Sequence, residues 1–295
     1  MRYYQDKTSR LKMPPLLQQN YLLKDFNLKK NIFITGAASG IGRATAILFA
    51  KKGWNVGLFD INEQGLESVA KEIGHNMCMY QKLDVTKIDE WKSAEGNFSN
   101  FTGGKCDLFF NNAGIANFAG KFEDVPSEEI NKIIDVNFKG VVNGCLTMLN
   151  LLKNTEDSVL LNTCSIAGLV PAPGISVYGA TKFAVRGLTE SLRIEFERYN
   201  IRVSEINPWF TDTPILEAKQ VSENMESPWD KDFVNERTKI YPVEQVANAV
   251  WHSYTNKRIH NPLGFEGKFA SFFMNLCPSL IRFLSKRMFK DTFLN

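Results

Sequence analysis

Tyr178 and Lys182 stand four residues apart in Ser176-Val-Tyr-Gly-Ala-Thr-Lys182, and Ser165 lies thirteen residues before the tyrosine. On a helix, positions i and i+4 share a face, so the ammonium of Lys182 can stabilise the phenolate of Tyr178, whose free pKa is near ~10. A phenol tuned in this way can take a proton from a hydroxyl group or return it to a carbonyl oxygen. Ser165, hydrogen bonded to the same oxygen, would orient it and stabilise developing charge. Upstream, Gly36-Ala-Ala-Ser-Gly40-Ile-Gly42 has the glycine spacing of a turn that lets a pyrophosphate approach the N–H groups opening a helix. A proton-exchanging phenol together with a dinucleotide-binding turn points to hydride transfer. Each motif alone has a plainer reading: Tyr-x-x-x-Lys recurs on ordinary amphipathic helices, and a glycine-rich turn can simply join a strand to a helix. Their joint occurrence favours the chemical reading.

The elements that must position these residues follow from periodicity. Asn31-Ile-Phe-Ile-Thr35 is a short β-rich run ending at Gly36, after which Ile41, Ala44, Thr45, Ile47 and Leu48 recur at helical spacing. A second strand is expected at Asn55–Asp60, a helix around Leu66, Val69 and Ile73, and a third strand ending at Leu83-Asp84-Val85. Further strands are expected at Cys106–Phe110, Ser158–Asn162 and Ile201–Ile206, with helices around 127–152 and 176–199 between them. Alternation of this kind predicts an α/β fold: a doubly wound, three-layer parallel sheet of Rossmann type in a single domain. Asp60 ends the second strand 18 residues beyond Gly42. A carboxylate there can accept hydrogen bonds from the adenosine ribose hydroxyls and would repel a 2′-phosphate, and Ser39 is not replaced by a cation that would attract one. The reading favours NAD, with NADP as the alternative; an Asp at a strand end can also be a plain turn residue.

Taken in order, these motifs resemble those of the short-chain dehydrogenase/reductase family over roughly residues 30–215. Thr35-Gly-Ala-Ala-Ser-Gly-Ile-Gly42 is similar to the family's cofactor turn, Asp84-Val85 to its adenine contact and Asn111-Asn-Ala-Gly114 to the motif closing its fourth strand. Asn137, Ser165, Tyr178 and Lys182 match its catalytic tetrad. The resemblance implies a sheet of about seven strands, a homodimer or homotetramer, and substrate bound at the carboxyl edge. It implies cofactor contacts at Gly36, Ser39, Gly40, Ile41, Gly42, Asp60, Ile61, Asp84, Val85, Asn112, Ala113, Gly114, Tyr178, Lys182, Pro208, Thr211 and Thr213. It further implies that Lys182 holds the nicotinamide ribose and that Asn137 holds a water relaying protons to solvent. Ser165, Tyr178 and Trp209 are the expected substrate contacts.

Two departures from the family pattern stand out. Trp209 replaces the usual glycine in Asn207-Pro208-Trp209, where it either reshapes the substrate pocket or packs under the following loop. Cys164 directly precedes Ser165 and, without a clustered histidine, reads as a packed thiol.

Domain organisation is expected as an N-terminal extension (1–29), a body (30–256) carrying a polar substrate lid (212–240), and a C-terminal tail (257–295). In the tail Phe265, Phe269, Phe272, Phe273 and Leu276 recur at helical spacing, Pro278 interrupts, and Leu280, Phe283 and Leu284 resume beside Arg282, Lys286, Arg287 and Lys290. Seven of the chain's 22 phenylalanines fall in its last 31 residues. Such a basic amphipathic segment can lie on an anionic bilayer, pack on a partner subunit, or cover the active-site mouth.

Composition bounds the remaining classes. The 295 residues, 44% hydrophobic and 12% aromatic, suffice for a sizeable core. Five scattered cysteines without a C-x-x-C pair and only three histidines predict neither a disulfide framework nor a metal. No apolar run reaches the roughly 18 residues of a spanning helix and no signal-peptide pattern opens the chain, so a cytoplasmic protein is expected, to which the bilayer arrangement of the tail would add peripheral membrane contact. Each end carries seven basic residues against two acids, while residues 31–256 hold 21 basic and 28 acidic ones, a body unlike a nucleic-acid surface. The expected activity is NAD-dependent hydride transfer to or from a hydrophobic secondary alcohol or ketone, such as a steroid, retinoid or lipid. The alternatives are an NADP-dependent carbonyl reductase and a non-catalytic redox-cofactor sensor that binds a protein partner.

Overall fold

Strand β1, Asn31–Thr35, is buried at every position, as a strand covered on both faces must be. Helix α1 (Gly40–Lys51), strand β2 (Asn55–Asp60) and helix α2 (Glu63–Ile73) follow. In a computed structural model describing residues 29–116, 120–217, 234–236, 238–256 and 260–288, the alternation continues through β3 (Cys78–Lys82), α3 (Ile88–Thr102) and β4 (Leu108–Asn111). Next come α4 (Ser127–Ile134), a π turn (Asp135–Lys139) and α5 (Gly140–Lys153), then β5 (Val159–Thr163), α6 (Ser176–Glu197), β6 (Arg202–Asn207), α7 (Val243–Thr255) and β7 (His260–Pro262). Helices α8 (Gly264–Leu276) and α9 (Pro278–Met288) close the described chain and pack on each other. Nearly all of the expected N-terminal extension, and 218–233 of the expected lid, lie outside the described residues.

All seven strands are parallel, in the order β3-β2-β1-β4-β5-β6-β7, which is the expected three-layer doubly wound fold. Alternate residues face opposite helix layers. Ile32, Ile34, Val56, Leu58, Leu108 and Phe110 meet Phe49 of α1, Leu66 and Val69 of α2 and Val246 of α7. Phe33, Phe59, Phe109 and Leu160 meet Trp91 and Phe98 of α3, Met148 of α5 and Val185 of α6. Phe33 stacks on Phe59 at 3.8 Å and meets Phe98 edge-on at 5.1 Å; burying each such ring contributes about 1.5–3 kcal/mol. The order reverses between β1 and β4, and a ligand crevice is expected outside the carboxyl ends of those two strands.

β5 and β6 each sit one residue later than expected, and two other strands depart further. β3 ends at Lys82 rather than running through Val85, because the Asp84 carboxylate captures the backbone N–H and hydroxyl of Thr86 at 2.9 and 2.7 Å and turns the chain. β4 begins at Leu108 because the Cys106 N–H donates to Thr155 Oγ1 at 2.8 Å instead of to the sheet. Periodicity also missed β7, three residues that extend the sheet past residue 256.

β7 is tied to its neighbours by side chains. His260 Nδ1 lies 2.8 Å from Glu205 Oε1 in β6 and Nε2 lies 2.5 Å from Glu190 Oε1 in α6, while Asn261 Nδ2 donates to the Glu205 carbonyl at 3.0 Å. The hydrogen bond to Glu205, reinforced by both carboxylates and opposed by burial, raises the imidazole pKa. A histidine whose pKa rises on folding contributes stability fully below its ordinary value near ~6.5 and loses it as pH climbs through the raised value. Wild type is therefore expected to exceed His260→Gln in stability most at pH 5.5–6.5, with the gap narrowing toward pH 9. Urea melts of both proteins across that range check this, and a gap that widens with pH contradicts it.

Candidate active site

The β1–α1 turn is shaped by its glycines. Gly36 has φ +68°, and a Cβ there would lie 3.0 Å from Ala113 Cα; Gly40 has φ +50° and faces Thr213. Both conformations suit glycine. Ser39, at the N-cap of α1, makes no side-chain capping bond, so the first N–H groups of the helix keep their capacity for an anion. At the end of β2 the Asp60 carboxylate accepts from Ala38 N at 3.1 Å and Asn62 N at 2.9 Å, which fixes it beside the glycine turn. A close-approach backbone, open helix N–H groups and an oriented carboxylate at the next strand end fit the pyrophosphate and ribose of a dinucleotide.

Across the strand-order reversal, Asn112 ties β1, β4 and β5 together. Its N–H and Nδ2 donate to Thr35 Oγ1 and O at 2.9 and 3.0 Å, and its Oδ1 accepts from Thr163 Oγ1 at 3.0 Å. The Thr163 carbonyl in turn accepts from Lys182 Nζ at 2.9 Å. Sequence reasoning missed Thr163; its place at the end of the strand leading to Ser165 is the only signal it offered. Lys182 is buried to 2% exposure, with Nζ 5.6 Å from the centre of the Tyr178 ring, so α6 presents both residues on one face as their spacing predicts. Ser165 Oγ accepts from Ala167 N at 3.1 Å and stands on the cavity wall with Tyr178.

Asn137 sits in the π turn, fully buried, and engages the backbone of Ile115 on both sides: Oδ1 accepts from Ile115 N and Nδ2 donates to Ile115 O, each at 2.8 Å. Its amide therefore braces the loop after Gly114. Nδ2 also lies 3.5 Å from Thr181 Oγ1, which joins the brace to α6.

Burial dominates the titrations here. The Tyr178 phenol is pushed up to about 12 by burial, opposed by the Ser165 hydroxyl. Lys182 is brought down to about 8 by burial. Lys182 Nζ is turned to the Thr163 carbonyl, and the phenol is governed here by its desolvation. Cys164, its thiol donating to Lys182 O at 3.2 Å, is also pushed up to about 12 by burial, as befits a packed, unreactive thiol.

One cavity of about 1460 Å³ collects these groups. Its wall includes Gly36, Ser39, Gly40, Ile41, Asp60, Ile61, Asp84, Val85, Asn112, Ala113, Gly114, Ser165, Tyr178, Lys182, Pro208, Trp209, Thr211 and Thr213. Of the residues expected at the site, Gly42 and Asn137 stand behind the wall as supports. Trp209 lines the cavity, donates its indole N–H to Thr238 Oγ1 at 2.9 Å and packs with Ile166, Leu169 and Ala270. Phe265, Phe269 and Ala270 of α8 and Ile281 and Leu284 of α9 complete the apolar end. The two tail helices thus form part of the cavity wall. Tyr241 OH donates to Glu266 at 2.6 Å and fastens α8 in place. Among the described residues, no cluster of three or more His, Cys, Asp or Glu is placed to hold a metal.

A family model described as short chain dehydrogenase matches residues 30–224. Oxidoreductase UcpA of Salmonella typhimurium is 33% identical over 224 residues, 75% of this chain and 83% of that protein. Among solved structures, 3-ketoacyl-(acyl-carrier-protein) reductase from Brucella melitensis complexed with NADH is similar with a TM-score of 0.67 at 30% identity, covering 75% of this chain and 89% of that one. An alcohol dehydrogenase from the archaeon Thermococcus sibiricus complexed with 5-hydroxy-NADP is similar with a TM-score of 0.67 at 26% identity, covering 79% and 94%.

Proposed function

Because the chain belongs to the short-chain dehydrogenase/reductase family and is an oxidoreductase of it, we propose that it transfers a hydride between NAD and a hydrophobic secondary alcohol or its ketone, with Tyr178 as acid/base. The observation that carries this reading is a single cavity with a dinucleotide-shaped polar end, Ser165, Tyr178 and Lys182 on one wall, and an apolar end formed by Trp209, Phe265, Phe269, Ile281 and Leu284. A steroid, retinoid or lipid-like substrate suits that end. The two structural relatives carry an NADH and an NADP derivative, which supports a nicotinamide cofactor, and Asp60 favours NAD.

The nicotinamide, when bound, accepts or supplies the hydride. Gly36, Gly40 and the α1 N–H groups would hold the pyrophosphate, Asp60 the adenosine ribose, Asp84 and Val85 the adenine side, and Pro208, Thr211 and Thr213 the nicotinamide side. Ser165 keeps its hydroxyl hydrogen available, since its oxygen accepts from Ala167 N, and donates it toward the substrate oxygen or Tyr178. Tyr178 takes the hydroxyl proton in oxidation and returns it in reduction. Lys182, anchored on Thr163 O, holds its charge beside the ring and the nicotinamide ribose. Asn137, which braces the loop at Ile115, would hold the water that relays protons to solvent. Exposed Leu146 on α5 and Phe183 and Ile194 on α6 support assembly as a homodimer or homotetramer through those helices.

Nicotinamide absorbance, followed with NAD or NADP and a panel of secondary alcohols including steroids and long-chain alcohols, tests the reading. Turnover with NAD supports it; tight NAD binding with silence across the panel favours the sensor alternative. In this reading the choice between the two dinucleotides turns on Asp60, at the end of β2. Asp60→Ala is therefore expected to shift preference toward NADP about 10- to 100-fold, through lost ribose hydrogen bonds and relieved repulsion. Paired Kd measurements for the two dinucleotides check this; an unchanged ratio removes Asp60 from cofactor choice.

A further inference from the structure

The α8–α9 hairpin has two apolar sides. One supplies Phe269, Ala270, Ile281 and Leu284 to the cavity wall. The other leaves Phe272 60%, Leu276 68% and Phe283 61% exposed, with Phe265 at the rim 77% exposed. Lys268, Arg282, Lys286 and Arg287 are all exposed around these side chains, and the one acid of the hairpin, Glu266, is held by the Tyr241 hydroxyl. No helix among the described residues is long and apolar enough to cross a membrane. Exposed aromatic side chains ringed by cations, with no free acid among them, match the boundary between acyl chains and anionic headgroups. Exposed large apolar side chains grouped on one helical hairpin mark a contact surface rather than a solvated one.

We propose that α8–α9 seats this face on an anionic lipid bilayer, so that a hydrophobic substrate passes from the lipid along the hairpin into the cavity behind it. The charge complementarity selects a bilayer over a second copy of the chain, because two copies meeting on this face would bring eight cations together. The seating stands on the surface alone, while the passage of substrate rests on the hydride-transfer reading given above.

Full-length protein is sedimented with vesicles of phosphatidylcholine alone or mixed with phosphatidylserine, beside Arg282→Glu/Lys286→Glu/Arg287→Glu and Phe272→Ser/Phe283→Ser. None of these five residues lines the cavity. Wild type is expected to bind the mixed vesicles in a salt-sensitive manner. The charge variant should lose about 100-fold in partitioning, at roughly fivefold per cation removed, and the phenylalanine variant should lose binding to both vesicle types. Turnover of a short water-soluble secondary alcohol should stay at wild-type level in both variants, while turnover of a long-chain alcohol dissolved in the vesicles falls. Equal partitioning of wild type and variants overturns the proposal. So does absent vesicle binding by wild type together with a dimer that the phenylalanine variant dissociates in sedimentation velocity, which would make a second copy the occupant. Vesicle binding with no turnover of any alcohol supports the seating and counts against the hydride-transfer reading instead.

Discussion

Tyr178→Phe is expected to reduce kcat/KM by about 10²–10⁴-fold, the range associated with loss of a positioned acid/base, or about 3–5 kcal/mol of transition-state stabilisation. The substitution deletes one oxygen and keeps the ring, so the packing of α6 against the Ser165 turn is preserved. Lys182 remains anchored on Thr163 O, and the glycine turn and Asp60 are untouched. The Kd for NAD should accordingly stay within about threefold, inside the scatter ordinary for a remote change. Steady-state kinetics and a binding titration on the same preparation separate the two effects. A fall in activity smaller than about tenfold would pass the proton transfer to another group; a parallel loss of NAD binding would make Tyr178 a cofactor ligand first.

Gly42→Ala should strike the other end of the cavity. A Cβ at this position would lie 2.0 Å from the Gly36 carbonyl oxygen and 2.7 Å from its carbon, and both are backbone atoms that cannot swing aside. The first turn of α1 must then lift away from the β1 turn, at a cost in the overpacking range of about 1–3 kcal/mol. On the proposed reading Gly36 and the α1 N–H groups would hold one pyrophosphate between them, so a shift of that kind should weaken NAD by about 10²-fold, equivalent to about 2.7 kcal/mol. Calorimetric titration with NAD measures the loss and a thermal melt reports how much of the cost reaches the fold. Undiminished affinity would mean that the turn is not the cradle for the dinucleotide.

The parts of this molecule that its sequence discloses are those where backbone geometry restricts the choice of residue. Positive φ at Gly36 and Gly40 and the contact at Gly42 admit little but glycine, so the turn reads directly. The buried parallel strands read as apolar runs, and β1 and β2 fall where periodicity puts them. Tyr178 and Lys182 share a face because their spacing on a helix requires it. What stays hidden depends on contacts distant in sequence. Nothing in Asp135-Val-Asn-Phe-Lys139 announces a π turn, so the brace from Asn137 to Ile115 emerges only with coordinates. β7 has three residues and a proline, too little for a period to form. The tail's repeat of phenylalanines reports a helix with an apolar side, but periodicity does not say what the side faces; its position over the cavity depends on Tyr241 and Trp209 lying beneath it. The ionisation of Tyr178 is opaque for a related reason: proximity to a lysine can be counted along the chain, whereas desolvation requires the whole surrounding structure.

The π turn also gives the long rod from Ser127 to Lys153 a property that neither of its halves has. An α-helix advances about 100° per residue, and a π turn accommodates one extra residue within the ladder. Everything downstream is therefore rotated by about that angle from where an unbroken helix would carry it. The upstream half is oriented for its contacts with α6, the downstream half for Trp91 and Phe109, against which Gly144 fits closely. Asn137 lies at the seam between these two azimuths. The rod acts as a phase shifter, letting one continuous element satisfy two separately oriented neighbours while a single amide at the junction reads out their alignment to the loop that borders the reacting groups.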